Sequence, residues 1–143
     1  MDVTPTLVVF EDDVSRFKAL SILGKELTKF HRFATCGDFR QLFALLWDGP
    51  DRLLGGLLGS THSGWLHVEF IWVEEAARRQ GYGSRLLIAA EQEALARGCQ
   101  RAYLDSVGTP ALDFFHLHGY VVCGELIEFT PGQNRYWLHK SQL

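Results

Sequence analysis

A chain of 143 residues, 47% hydrophobic and 22% charged, has the make-up of one soluble globular domain, and at this length roughly 70% of the unfolded surface can be buried. Its formal net charge of -3 gives no support for nucleic-acid binding, which calls for a basic face, or for an acidic membrane surface as partner. Cys36, Cys99 and Cys123 form no close pair, and His116 and His118 are spaced two apart, so neither a disulfide framework nor a metal site is expected, and a reduced cytoplasmic setting is the simplest reading.

Met1-Asp2 opens without a positive-then-apolar segment, so no signal peptide is expected. Leu53 to Leu58 is broken by Gly55 and Gly56 and is too short to span a bilayer. Thr6 to Phe10, rich in Val, Leu and Thr, reads as a first strand. Glu11-Asp12-Asp13 suits a helix start, and Phe17, Leu20, Leu23, Leu27 and Phe30 then recur at three- and four-residue steps, the signature of one buried helix face. Phe39 to Trp47 reads as a second strand, followed by the turn Asp48-Gly49-Pro50-Asp51. Leu53 to Ser60 and Trp65 to Val73, joined by Thr61-His62-Ser63-Gly64, complete an antiparallel meander. After polar Glu74 to Gln80, a helix carries Leu86, Leu87, Ala90 and Ala94 on one side and stops at Gly98. Ala102 to Val107 is a fifth strand, parallel to the fourth because a helix separates them. A short helix to about His118 and a hairpin, Tyr120 to Phe129 and Arg135 to His139, close the chain. The order β-α-β-β-β-α-β-α-β-β, with no repeat or linker, predicts a single α/β domain over residues 1–143.

The most informative segment is Arg78-Arg79-Gln80-Gly81-Tyr82-Gly83, between a strand and a helix. Glycine lets a backbone approach a ligand closely, and the free amides and dipole of a helix start favour an anion such as a pyrophosphate. A bare G-x-G serves equally well as a turn into a helix. A dinucleotide fingerprint would need glycine where Leu86 stands, and the Gly-Lys-Ser/Thr ending of a P-loop is missing.

In this context the chain resembles the GNAT superfamily of N-acetyltransferases. That family has a Q/R-x-x-G-x-G/A signature between its fourth strand and third helix, here Arg78 to Gly83. Ala111 to Tyr120 is similar to its A-x-x-F-Y-x-x-x-G-F/Y helix. The likeness is tightest from Trp65 to Tyr120. It implies an α/β (α+β) fold: a mixed, mostly antiparallel sheet with parallel, splayed fourth and fifth strands and helices on both faces. It implies acetyl-CoA as co-substrate, with its pantetheine arm paired to backbone around Ile71, Trp72 and Val73. Amides from Arg79 through Gln80, Gly81, Tyr82 and Gly83 to Ser84 would hold the pyrophosphate, with Arg78 or Arg79 in contact with phosphate. Ile71, Val73, Phe114 and Phe115 are expected both to pack in the core and to line the cofactor's path.

An acceptor amine of pKa near 10 is protonated at pH 7, and its ionisation costs roughly 4 kcal/mol. His67 and Glu69, two apart on the fourth strand, are expected to share a face where the family places a base or a water-holding group. Of the two, His67 is favoured, because its ordinary pKa lies nearer the useful range; a pair of half-exposed strand residues is the plain alternative. Phe115 stands where the family has a tyrosine that protonates the departing thiolate, and Gly108 where it often has Asn. The leading expectation is N-acetyl transfer to a small-molecule amine. The alternatives are a peptide or protein amine, and a catalytically silent acyl-CoA sensor. Trp65 and Trp137 read as core or, in a homodimer, as interface.

Overall fold

The computed structural model describes Leu7, residues 13–30 and residues 38–143. These fall into two compact units, the second running from Asp38 to Leu143. The first holds one helix, α1 (Asp13–Phe30), where the apolar spacing predicts it, with Asp13 in the first turn, but Phe17, Leu20 and Leu23 of the face expected to be buried are exposed. The expected first strand, Thr6 to Phe10, lies outside the described residues apart from Leu7, as do the loop 31–37 and Cys36.

The second unit is a six-stranded sheet with two α-helices and a 3-10 turn at Glu75–Ala77: β1 (Arg40–Asp48), β2 (Arg52–His62), β3 (Trp65–Val73), α2 (Tyr82–Ala96), β4 (Arg101–Val107), α3 (Leu112–Leu117), β5 (Val121–Thr130) and β6 (Gln133–Lys140), with strand order β1-β2-β3-β4-β6-β5. Every neighbouring pair is antiparallel except β3 and β4, the strands counted fourth and fifth from the sequence. The turn from β2 to β3 is only Ser63-Gly64, with φ 52° and 79°, as a two-residue turn with positive φ at both positions demands. The amide of Ser63 donates to Asp38 Oδ1 at 2.9 Å.

The core lies between the sheet and α2. Leu86, Leu87, Ala90 and Ala94 of α2 meet Leu57, Leu66, Val68, Ala102, Leu104 and Leu138, and all are buried. The two alanines let the helix backbone come close to the strands. Gly98 at φ 87° ends the helix, and the Cys99 amide donates back to the Ala94 carbonyl at 2.9 Å.

One acid enters this core. Glu91 on α2 accepts from the Tyr120 hydroxyl at 3.0 Å and from Lys140 Nζ at 3.0 Å, so its charge is paired and hydrogen-bonded. Burial first, then the Glu91 charge, raises the Tyr120 pKa far above its ordinary value, so the ring stays protonated. Tyr120→Phe is therefore expected to lower stability by about 1–2 kcal/mol and to leave turnover in place. Thermal melts and a rate assay check both halves.

The register of β2 and β3 contains the feature that shapes the site. Ser60 faces His67 and Gly59 faces Val68, but Leu58 faces Phe70, so Glu69 is left over as a β-bulge. A Cβ at Gly59 would overlap the His67 carbonyl oxygen, which is why this position has no side chain. The extra residue inverts the alternation: Leu66 and Val68 pack into the core before it, and Ile71 and Val73 after it. Glu69 and Phe70 are both exposed between these two runs, so the alternation that links His67 to Glu69 reverses only at Phe70.

Candidate active site

The β3–β4 ladder runs from Trp65 opposite Arg101 to Val68 opposite Leu104 and then stops. A bulge bends the strand that carries it, and β3 leaves β4 at this one. The fork encloses a cavity of about 280 Å³ lined by Val68, Glu69 and Ile71 of β3, Leu104 and Asp105 of β4, and Phe115 of α3. Beyond the fork, β3 still pairs with β2 and β4 with β6, so the two edges facing the gap are open to an amide-bearing chain laid between them.

Helix α2 begins just past the end of β3. Gly81, its N-cap, has φ 80° and Arg79 has φ 63°. A Cβ at Gly81 would meet nothing within 4 Å, so the backbone angle rather than crowding favours glycine there. The Arg85 amide donates to the Gly81 carbonyl at 3.1 Å, which leaves the amides of Tyr82, Gly83 and Ser84 with no acceptor inside the helix. Those three residues, with Val73, Arg79 and Phe114, line a second cavity of about 240 Å³. Ile71 and Phe115 line the fork, while Val73 and Phe114 line the cavity at the helix start. The same strand and the same helix thus carry both. Arg78 also lines the second cavity, but its Nε donates to the Val73 carbonyl at 3.0 Å. Gln80 is exposed and Trp72 is half exposed, and neither lines either of these two cavities.

The two candidate bases stand differently to the fork. His67 lies in the closed part of the ladder opposite Tyr103, with ring centroids 4.5 Å apart and planes within 5°. The Tyr103 hydroxyl is 3.0 Å from His62 Nε2, and Trp65 meets the same ring edge-on. Burial, then the Glu69 charge, raises the Tyr103 pKa, so that hydroxyl stays protonated. His67 does not line the fork, whereas Glu69 does. His67 and Glu69 thus differ in their access to the fork. Phe115, 4% exposed, forms the apolar floor of the fork. Trp65 and Trp137 are half-buried, with the guanidinium of Arg101 4.4 Å over the Trp65 ring.

Sequence reasoning missed the part of His118, while Asp105 and Phe114 also stand at these cavities. Asp105 enters the fork held by Arg135 at 2.6 Å, and the Arg135 guanidinium lies 4.9 Å over Phe129 and 5.3 Å over Trp137. Phe114 packs beside Gly83, and His118 reaches Ser84. Alternation along β4 puts Asp105 on the face of Tyr103, but nothing in the sequence marks where the ladder ends. Among the described residues no three His, Cys, Asp or Glu are grouped to hold a metal, and no helix is long and apolar enough to cross a membrane.

Comparison with known proteins agrees with this geometry. The profile of the "Acetyltransferase (GNAT) family" matches residues 11–120. An acetyltransferase of Agrobacterium fabrum is 39% identical over 103 residues, 72% of this chain and 75% of that protein. The blasticidin-S acetyltransferase of Streptomyces morookaense is 35% identical over 90 residues, 62% of this chain and 66% of that one. A crystal structure from Agrobacterium tumefaciens, assigned as an acetyltransferase, superposes with a TM-score of 0.83 at 33% identity, covering 96% of this chain and 98% of its own.

Proposed function

Because this chain belongs to the acetyltransferase (GNAT) family, we propose that it moves the acetyl group of acetyl-CoA to a primary amine of a small molecule. The observation that carries this reading is the fork between β3 and β4, which opens beside a helix start presenting three free amides. These residues fit the cofactor: strand edges suit the amides of a pantetheine arm, and the amides of Tyr82, Gly83 and Ser84, with the charge of Arg79, suit a pyrophosphate. When bound, acetyl-CoA supplies an acyl group on a thiol of pKa about 8.5, which leaves more readily than an amine or alcohol.

Around that group the chain's own residues do three things. Ile71 and Phe115 exclude water from the fork, and the backbone of Ile71 to Val73 aligns the arm. Glu69, at the mouth, takes a proton from the acceptor's ammonium, directly or through one water, so that nitrogen can attack the acyl carbon. As the C–N bond forms and the C–S bond breaks, the nitrogen would give its second proton to solvent and the sulfur would leave as a thiolate that solvent protonates, since Phe115 has no proton to give. His67 is the second candidate for the base, one strand step from the cavity.

The small-molecule acceptor is supported by the relative whose name specifies blasticidin S. We read residues 1–143 as one acetyltransferase domain, and the reduced, buried Cys99 thiol fits a cytoplasmic setting. Release of free thiol with a panel of amines, including blasticidin S and a peptide N-terminus, tests the reading; cofactor binding without any turnover would identify a sensor instead. Glu69→Gln is expected to lower kcat by roughly 100-fold or more with acetyl-CoA affinity retained, and His67→Ala by less. If His67→Ala alone removes the rising limb of the pH–rate profile, the two residues exchange roles.

A further inference from the structure

We propose that His118 is a positioning residue for the cofactor's pyrophosphate, acting through the hydroxyl of Ser84. This rests on the reading that the start of α2 holds the phosphates of acetyl-CoA. Ser84 is the third residue of α2 and lines the cavity at the helix start. Its Oγ lies 2.8 Å from His118 Nε2.

A serine hydroxyl has one proton, and the two sides of this contact compete for it. If Ser84 donates to His118, its oxygen turns only lone pairs to the cavity, which repel a phosphate oxygen. If His118 donates its Nε2–H to Ser84 Oγ, the serine proton is free for the phosphate, and the chain N–H to O–H to phosphate oxygen polarises along its length. An anion at the helix start therefore selects the second arrangement and needs a donor at the His118 position.

His118 is well held for this. It closes α3 with its amide donating to the Phe115 carbonyl at 3.1 Å. Its ring centroid lies 4.9 Å from that of Phe114, and Phe114 is the side chain nearest to Gly83. The end of α3 is thereby tied to the start of α2, next to the amides themselves.

Two substitutions separate donation from packing. His118→Gln keeps an N–H donor at about the position of Nε2 and loses the ring; His118→Phe keeps the ring against Phe114 and loses the donor. In calorimetric titration with acetyl-CoA, after melting curves show the variants folded, His118→Phe is expected to bind about tenfold more weakly, as is Ser84→Ala. His118→Gln is expected to bind within about threefold of wild type, and the His118→Phe, Ser84→Ala double variant no more weakly than Ser84→Ala alone. Wild-type affinity in His118→Phe, a glutamine variant as weak as the phenylalanine one, or additive losses in the double variant would each overturn the proposal. A wild-type protein that does not bind acetyl-CoA would remove the cofactor reading itself, an outcome distinct from those three.

Discussion

Gly83→Asp is expected to leave the protein folded, and slightly more resistant to heat, while removing its affinity for acetyl-CoA. Gly83 is the second residue of α2, and a Cβ there would stand 3.4 Å from the Phe114 ring, an ordinary contact that the fold accommodates. A carboxylate in the first turn of a helix stabilises it by about 0.3–1 kcal/mol. The same carboxylate lies among the amides proposed to receive the pyrophosphate. Two like charges about 4 Å apart repel by roughly 4 kcal/mol at the effective dielectric of a protein surface, and salt reduces this. A loss of at least about 100-fold in affinity is the expected result, and calorimetric titration beside a melting curve measures both effects. Unchanged affinity in a folded variant would remove the phosphates from this helix start. Opposite signs for stability and binding are what distinguish a ligand site from a turn that merely lets the chain enter a helix.

The second large effect is expected at Gly59, a residue with no group that could take part in chemistry. Gly59 faces Val68 beside the bulge, and the Cβ of an alanine would overlap the His67 carbonyl oxygen, a backbone atom with no freedom to swing aside. The strand must shift, and overpacking of this kind costs about 1–3 kcal/mol. The shift falls on the residues that open the fork, and misplacing reacting groups by about 1 Å costs on the order of 100-fold in rate. Gly59→Ala is therefore expected to lower both the melting temperature and kcat/KM, the latter by about 100-fold. Gly64→Ala serves as the comparison, since a Cβ there meets nothing within 4 Å and only the φ of 79° is strained. It is expected to lose stability with little change in rate. Equal losses of rate in the two variants would show that the bulge has no special part in the site.

Several features were legible because they are local. The helix over Tyr82 to Ala96 follows from the spacing of Leu86, Leu87, Ala90 and Ala94, and its end from Gly98, since periodicity and left-handed caps depend only on neighbours in the chain. The parallel pairing of β3 with β4 follows from the helix between them. The motif Arg78 to Gly83 placed the helix start that the structure contains. What the sequence could not determine is the register between strands. The overlap at Gly59 and the exclusion of Glu69 from the ladder are contacts between residues on different strands, and one extra residue reverses which face every later side chain occupies. Counting by twos put His67 and Glu69 on one face but could not show which of them meets the fork. Tertiary structure put His67 against Tyr103 and Glu69 at the fork, because a backbone that meets another backbone without room for a Cβ must bend, and that bend is decided in three dimensions. The bond from His118 to Ser84 was hidden for the same reason: 34 residues separate them along the chain, and only the packing of α3 beside the start of α2 brings a ring nitrogen to a hydroxyl.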